Sequence, residues 1–280
     1  MFDTMTYLSS AEALLQAQKI YKNDPQILWY PVGPLQRHLI NTIKKYPSLK
    51  KPKLLKRFLV SFASQNYSSF INLLKENAIE PIPPDWTGDN TAFGVAGKLR
   101  IDWTWLGGGI TGPEISVPGF TNAFQLEIDR FTGAFLITTN SPNHVINIKT
   151  KEGIELFFTH IDKPMSALEL MDTVFAPCYI TRGNLEEYDS IILPEVSVKE
   201  TKLNILNGMR LGEYSIVWSA IETSWEMSKD GGHPSDTNTP TFDKYGKRPY
   251  VLEPPFAVIQ KFYDYPIPLF VGSVDKPVKP

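Results

Sequence analysis

The sequence predicts an α+β fold in which helices come first and strands follow. Helical patterns occupy about residues 1–84, whereas short β-branched and aromatic runs dominate from about residue 92 to residue 280. Because the two kinds of element are segregated along the chain, a regular βαβ repeat is not expected. The 23 prolines, together with 6 Trp, 12 Tyr and 16 Phe, favour many strands joined by rigid turns.

Three helices are predicted before residue 85, at 9–22, 34–46 and about 53–78. Ser9 or Ser10 can cap the first helix, and Pro34 stands in the first turn of the second. The proline-rich stretch at 80–84 ends the third helix. Within the strand-rich part, only about 164–175 and 199–211 are predicted to be helical.

Ten short runs between turns are predicted as strands. They read KLRIDWTW, AFQLEI, AFLITT, VINIK, ELFFTHI, SIILPEVSV, SIVWSAI, PYVL, FAVIQKF and PLFVGSV. Between SIVWSAI and PYVL lies a stretch at 229–248 that is rich in Gly, Pro, Ser, Thr, Asn and Asp. It predicts a long exposed loop, and loops of that length are often functional.

Composition excludes several classes of protein. Lys and Arg number 28 against 30 acidic residues, and the net charge of −2 argues against a protein dominated by nucleic-acid binding. Cys178 is the sole cysteine, so no intramolecular disulfide forms, and the four histidines lack metal-ligand spacing. No apolar run is long enough for a membrane helix, and the N-terminus has no signal-peptide pattern. We expect a cytoplasmic or otherwise intracellular protein without cofactor or metal, secreted only if a leader precedes this sequence.

The segment 107–112, GGGITG, satisfies the GxGxxG pattern of dinucleotide-binding loops. That interpretation requires a helix whose N-terminus holds the pyrophosphate, and Pro113 and Pro118 prevent one here. We therefore predict a glycine-rich turn that binds no nucleotide.

A basic segment at 44–57 has two interpretations. Its seven cations without an intervening acid are Lys44, Lys45, Lys50, Lys51, Lys53, Lys56 and Arg57. Such a segment attracts polyanions, namely nucleic acid, heparin-like chains or acidic lipid. A solvated loop and helix start is the favoured interpretation, because Pro47 and Pro52 interrupt the run.

A hydrolase built on paired carboxylates is an open alternative. Five acids lie on or near predicted strands, Asp102, Glu127, Asp129, Glu222 and Glu226, but their spacing selects no pair. Cys178 could act as a thiol nucleophile with a distant histidine. Its neighbours in VFAPCYI favour an apolar packing role instead.

The C-terminal segment carries the most specific motif in the chain. Residues 255–261 form a predicted strand, YDYP a turn, and 268–277 (PLFVGSVDKP) a returning strand. This segment resembles the C-terminal hairpin of the serpins. Three further stretches are similar to serpin segments and occur in the same order, 23–33, 192–198 and 225–231.

The serpin resemblance implies one domain over 1–280 with a helical cluster, three mainly antiparallel sheets and an exposed reactive loop, here 232–250. In inhibitory members a protease cuts this loop, which then inserts as a central strand and carries the trapped enzyme with it. The resemblance also implies a protein that is not an enzyme and whose partner is another protein, a protease being one candidate.

The predicted loop is poorly suited to insertion. Pro234 and Pro240 have no N–H to donate to a central strand, and His233 and Asp236 would lose solvent on entry. We therefore expect a non-inhibitory serpin-like protein in which Gly231 and Gly232 launch the loop, with 232–249 exposed and cut first by proteases. The alternative is a true inhibitor cleaved near Tyr245-Gly246, with Lys247 and Arg248 as further candidate bait residues.

The same hairpin gives a packing prediction. Residues 255–261 and 267–274 should form an antiparallel pair in the core. Period-two alternation places Phe256, Val258, Leu269 and Val271 on its interior face.

Overall fold

The computed structural model describes part of the chain, and every statement below concerns those residues. They are 27–28, 59–86, 90–127, 134–138, 145–163, 165, 169, 181–182, 188–211, 213–232, 248–262 and 270–275. None of the helices in these ranges combines the length and apolar character that a membrane crossing needs.

Strands dominate the described residues. In chain order the elements are β1 Ile27–Leu28, β2 Leu59–Ser64, α1 Tyr67–Glu76, β3 Ala92–Arg100, β4 Trp103–Thr104, β5 Ala123–Glu127, β6 Ala134–Thr138, β7 Val145–Lys149, β8 Ile154–His160, β9 Thr181–Arg182, β10 Ser190–Pro194, β11 Val196–Leu203, β12 Arg210–Leu211, β13 Tyr214–Met227, β14 Gly231–Gly232, β15 Pro249–Val251, β16 Phe256–Phe262 and β17 Phe270–Val274. This order, with strands continuing to the end of the described chain, fits the predicted α+β class.

The described residues group into two compact units. Those of Met5–Arg100 and Lys199–Ser224 form one unit, and those of Ile101–Val198 and Trp225–Pro280 form the other. The predicted single domain over 1–280 stays a prediction.

Sheet 1 has the strand order β1-β12-β13-β3-β2, and β11 also pairs with β13. β3 is antiparallel to β2 but parallel to β13. Helix α1 packs on this sheet through Phe70 and Leu74, which share a buried cluster with Phe62 and Trp218. The Asn66 side chain caps α1 by accepting a 2.9 Å hydrogen bond from the Ser69 N–H.

Sheet 2 has the order β15-β10-β5, and sheet 3 has the order β17-β16-β8-β7-β6-β9. The predicted C-terminal hairpin is confirmed, because β16 and β17 are antiparallel partners in sheet 3, from Phe256↔Val274 to Gln260↔Phe270. Phe256, Val258 and Val271 are buried, but the prediction that they share one interior face is wrong. Val271 pairs with Ile259 and packs with Ala257 and Ile259, on the face opposite to Phe256 and Val258, because both faces of β16 are buried. Leu269 lies outside the described residues.

One helix prediction is wrong and another is confirmed only in its second part, where α1 lies. Within 53–78 the structure has strand β2 before α1, and β2 pairs along β3 from Leu59↔Leu99 to Ser64↔Gly94. Pairing with a buried strand outweighs the helical spacing of its apolar residues. Within 199–211 the chain continues β11, whose burial alternates residue by residue, and then turns at Asn204 with a φ of 59°.

The remaining helix predictions are not tested by the structure. The segments 9–22 and 34–46 lie outside the described residues, and so does 164–175 apart from residues 165 and 169.

Candidate functional site

The root of the predicted loop is a tight turn that reverses the chain after β13. Ser228 and Gly231 exchange backbone hydrogen bonds, 2.8 Å from the Ser228 N–H and 3.1 Å from the Gly231 N–H. The chain then pairs antiparallel with β4, Gly231 opposite Thr104 and Gly232 opposite Trp103. The loop therefore leaves β13 in the opposite direction to that strand.

Two donors from the preceding segment hold this turn in place. The indole N–H of Trp105 donates to the Ser228 carbonyl at 2.7 Å, and the Gly109 N–H donates to the Lys229 carbonyl at 2.8 Å. A Cβ on Gly109 would lie 2.8 Å from that same carbonyl oxygen. The glycine-rich segment 107–112 thus supports the loop root, and turns rather than a helix follow it.

The first loop residues are closely packed. A Cβ added to Gly232 would lie 2.1 Å from Trp103 Nε1, and one on Gly231 would lie 2.2 Å from the Trp103 carbonyl oxygen. Gly231 also has a φ of +126°, which side chains of L-residues rarely allow. Both glycines are buried, so the prediction that exposure begins at Gly232 is wrong, because β4 and Trp103 cover this residue.

Trp103 carries an unusual polar group at this site. Its side chain is buried, stacks edge-on against Trp105 at 4.5 Å, and its Nε1 has no hydrogen-bond partner among the described residues. The Trp103 indole therefore forms the surface against which Gly232 packs.

The far end of the loop is anchored on sheet 2. The Arg248 backbone N–H donates to Asp189 Oδ1 at 3.0 Å, and the Asp189 N–H donates to the Arg248 carbonyl at 3.2 Å. β15 then runs parallel to β10 from Ser190↔Pro249 to Ile192↔Val251. Arg248 itself is exposed.

A buried polar relay supports that anchor. Gln125 Nε2 donates a 2.6 Å hydrogen bond to Ser190 Oγ. The Ser190 hydroxyl in turn donates a 2.9 Å hydrogen bond to Asp189 Oδ1. Nearby, Tyr188 and Tyr250 pack edge-to-face at 5.2 Å. Burial, and secondarily Tyr188, raises the pKa of Tyr250 above 10.0.

Sheet 1 contains the place where a strand could be added. β3 and β13 are parallel partners from Ser215↔Ala92 to Ser224↔Arg100, and we call this boundary the seam. A strand between them can run antiparallel to both, and it would break every ladder contact of the seam. Glu222 and Lys98 face each other across the seam with 2.9 Å between Oε1 and Nζ.

Most of the sequence-predicted site residues lie outside the described residues. These are His233, Pro234, Asp236, Tyr245, Gly246 and Lys247 of the loop, all seven cations of 44–57, Asp129 and Cys178. Their assigned roles stay predictions. Gly231, Gly232 and Arg248 are placed, and they lie at the two anchored ends of the loop.

Four of the five acids predicted on or near strands lie in the described residues, Asp102, Glu127, Glu222 and Glu226. No set of three or more His, Cys, Asp or Glu that could hold a metal occurs in the described ranges. Glu222 is engaged by two lysines, Lys98 and Lys199. Glu127 is exposed at the end of β5.

Sequence reasoning missed the residues that hold the loop ends, Trp103, Trp105, Gly109 and Asp189. Their roles depend on partners more than 50 residues away along the chain, such as Trp105 with Ser228. A single sequence contains no periodic signal for such pairs. The one available hint was the density of glycine and tryptophan in WTWLGGG.

Comparison with solved structures decides the fold. Serpin48 from the insect Tenebrio molitor, a highly specific serpin, matches with a TM-score of 0.54 and 11% identity over 97% of this chain and 89% of its own. Thyroxine-binding globulin in complex with thyroxine matches with a TM-score of 0.55 and 10% identity, over 100% of this chain and 93% of its own. Native protease nexin-1 with heparin matches with a TM-score of 0.52 and 11% identity, over 98% of each chain.

The chain has the serpin fold. The resemblance that the C-terminal hairpin indicated is thus confirmed at the level of architecture, and so is the predicted α+β class. No protein-family model matches the sequence, and the comparison with curated proteins gives no match. At identities near 10% these comparisons show the fold, and a shared fold does not by itself establish an activity.

Proposed function

We propose that this serpin-fold protein is not an enzyme and acts by binding another protein, without trapping a protease. The observation that carries this proposal is the register at the loop root. It assigns each loop residue a position in sheet 1, should the freed loop enter the seam.

Two counts give the same assignment. Counting back along β13 from the Ser228↔Gly231 bridge pairs residue 236 with Thr223. Counting along β4 and β3 from Gly232↔Trp103 pairs residue 236 with Leu99. Thr223 and Leu99 are already partners across the seam, so the two registers agree.

This register puts the least suitable loop residues on the buried face. Asp236 would stand between Thr223 and Leu99, which are 3% and 0% exposed. In the same register, Pro234 would lie opposite Ile101 and Pro240 opposite Val95, and the side chains of Ile101 and Val95 are also buried. A desolvated carboxylate without a partner and two positions lacking an N–H oppose insertion together.

The partner class is argued from the loop and from the fold's other members. The composition of 233–247 predicts an exposed loop, and the structure anchors both of its ends, so we propose another protein as its partner. Solved serpin-fold neighbours include one in complex with thyroxine and one with heparin. For this chain, a polyanion contact through the 44–57 segment is the secondary proposal, because seven cations there lack an interspersed acid.

A second candidate function is protease inhibition. The observation that favours it is β14, because Gly231 and Gly232 already pair antiparallel with β4, as an inserting strand would pair. In that case the cleaved bond lies near Tyr245-Gly246, or beside Lys247 or Arg248 for a protease of trypsin-like specificity.

The two functions separate when the protein is incubated with serine proteases of trypsin-like and chymotrypsin-like specificity. We expect cleavage within 233–247 and continued protease activity, with no adduct that survives SDS. The matched comparison is a variant carrying Pro234→Ala, Asp236→Ala and Pro240→Ala. An SDS-resistant adduct with the unmodified protein would replace the binding proposal with the inhibitor.

A further inference from the structure

Glu222 is the most deeply buried charged group of the seam. Its side chain is 4% exposed, and its carboxylate lies 2.9 Å from Lys98 Nζ on β3 and 3.7 Å from Lys199 Nζ on β11. β13 lies between those two strands, so one carboxylate links three neighbouring strands. The two lysines are more accessible, with side-chain exposures of 28% and 62%.

We infer that Glu222 is a latch that holds the seam between β3 and β13 closed. Glu222 and Lys98 are direct partners in the parallel register, so their ion pair spans the seam itself. Neighbouring strands lie about 4.8 Å apart, and adding a strand would double that separation. Opening the seam therefore separates a buried carboxylate from its nearer cation.

Burial determines how much each ion pair of Glu222 contributes. Exposed ion pairs contribute little, whereas removing one partner from a buried charge is strongly unfavourable. The Lys98 contact combines a buried carboxylate with a short distance, whereas the Lys199 contact is longer and involves an exposed ammonium group. Lys98 should thus contribute more than Lys199 to holding the seam closed, although both lysines approach Oε1 of Glu222.

The neighbouring rows of the seam contribute no comparable ionic contact in the described residues. The row before is Ile221 with Gly97, and the row after is Thr223 with Leu99. These pairs hold through backbone hydrogen bonds and apolar packing. Among these three rows, only the middle one has charged partners, so single substitutions at Glu222 and Lys98 can test the latch.

This inference deepens the proposed function, because the seam is where a freed loop would enter. The test uses uncut protein and measures hydrogen exchange of backbone amides at 96–99 and 220–224. In Glu222→Gln we expect exchange there to rise about tenfold or more, while amides at 257–260 of sheet 3 change much less. Its outcome is independent of whether the cut loop inserts.

Matched variants make the result specific. Glu200→Gln removes an acid of β11 that is 3.8 Å from Lys202 and partly exposed, and it should leave seam exchange within about twofold. Lys98→Gln should accelerate exchange as Glu222→Gln does, and Lys199→Gln should do so much less. If Glu222→Gln does not fold, Lys98→Gln decides the question.

Three results would overturn the latch. They are unchanged seam exchange in Glu222→Gln or Lys98→Gln, an equal rise in sheet 3, and equal effects of Lys98→Gln and Lys199→Gln.

Discussion

At the scale of single residues, the burial of a side chain determines how much its truncation destabilises the fold. Phe256 is fully buried and lies 6.4 Å from the ring of Phe158 on the neighbouring strand. Val251 on β15 is 36% exposed. Substitution by alanine should therefore lower the free energy of unfolding much more at Phe256 than at Val251.

Phe256→Ala should lower the free energy of unfolding by about 3–5 kcal/mol, because it removes a ring from a closed core. Denaturant unfolding followed by circular dichroism measures this change. Val251→Ala is the control and should cost less than about 0.5 kcal/mol. Equal midpoints for Phe256→Ala and the parent would contradict the placement of β16.

Glu155 predicts a dependence of stability on pH. Burial raises its pKa above the ordinary value of 4.5, and Lys261 and then Lys149 act in the opposite direction. The folded state therefore holds the proton more tightly than the unfolded state. The stabilisation is complete below pH 4.5 and is lost as the pH rises through the raised folded value.

Glu155→Gln should remove the contribution of Glu155 to the pH dependence of stability. Between pH 4.5 and 7 the stability of the parent should fall relative to that of the variant, as measured by urea unfolding at several pH values. Glu253→Gln, at an exposed position, should leave the pH profile of the parent unchanged. A variant that loses stability relative to the parent as the pH rises would have the wrong sign.

At the scale of elements, strands that form apolar or β-branched runs could be predicted, whereas long-range pairing could not. The β16–β17 hairpin was predicted from two apolar runs on either side of YDYP and from their resemblance to the serpin C-terminal hairpin. Strand β2 was taken for helix because Leu59 and Phe62 also fit a helical face, and only its pairing with β3 distinguishes the two. The composition of 229–248 predicts the loop, whereas its anchors Trp105 and Asp189 depend on which distant segments meet.

The short strand β14 gives a prediction at this scale. Gly232→Ala places a methyl group 2.1 Å from Trp103 Nε1, so β14 should separate from β4. Proteolysis beside residues 228–232 should become faster, and the tryptophan emission should shift as Trp103 gains solvent.

The control for this prediction is Gly208→Ala. It has a φ of +79° and nothing within 4 Å of the added Cβ, so it costs about 1–2 kcal/mol of backbone strain without a collision. Its cleavage pattern should match that of the parent. Faster cleavage at 228–232 in both variants would mean that general destabilisation, rather than the Trp103 contact, opens the root.

At the scale of the whole molecule, a shared fold leaves the activity undecided. The serpin-fold neighbours include a structure with thyroxine, a structure with heparin and a highly specific serpin. For this chain we propose that the Glu222–Lys98 ion pair holds the seam closed. We also propose that the register would bring Asp236 and two prolines to the buried face if the cut loop entered the seam. Both proposed features would oppose insertion.

The most direct measurement is the melting temperature before and after a single cut within 233–247. Insertion adds a central strand and would raise the melting temperature by about 10 °C or more. For the unmodified protein we predict that the cut changes the melting temperature by no more than about 3 °C. For the variant with alanine at 234, 236 and 240 we predict a larger rise after the cut. A rise of about 10 °C or more in the cut, unmodified protein would contradict the non-inhibitory account.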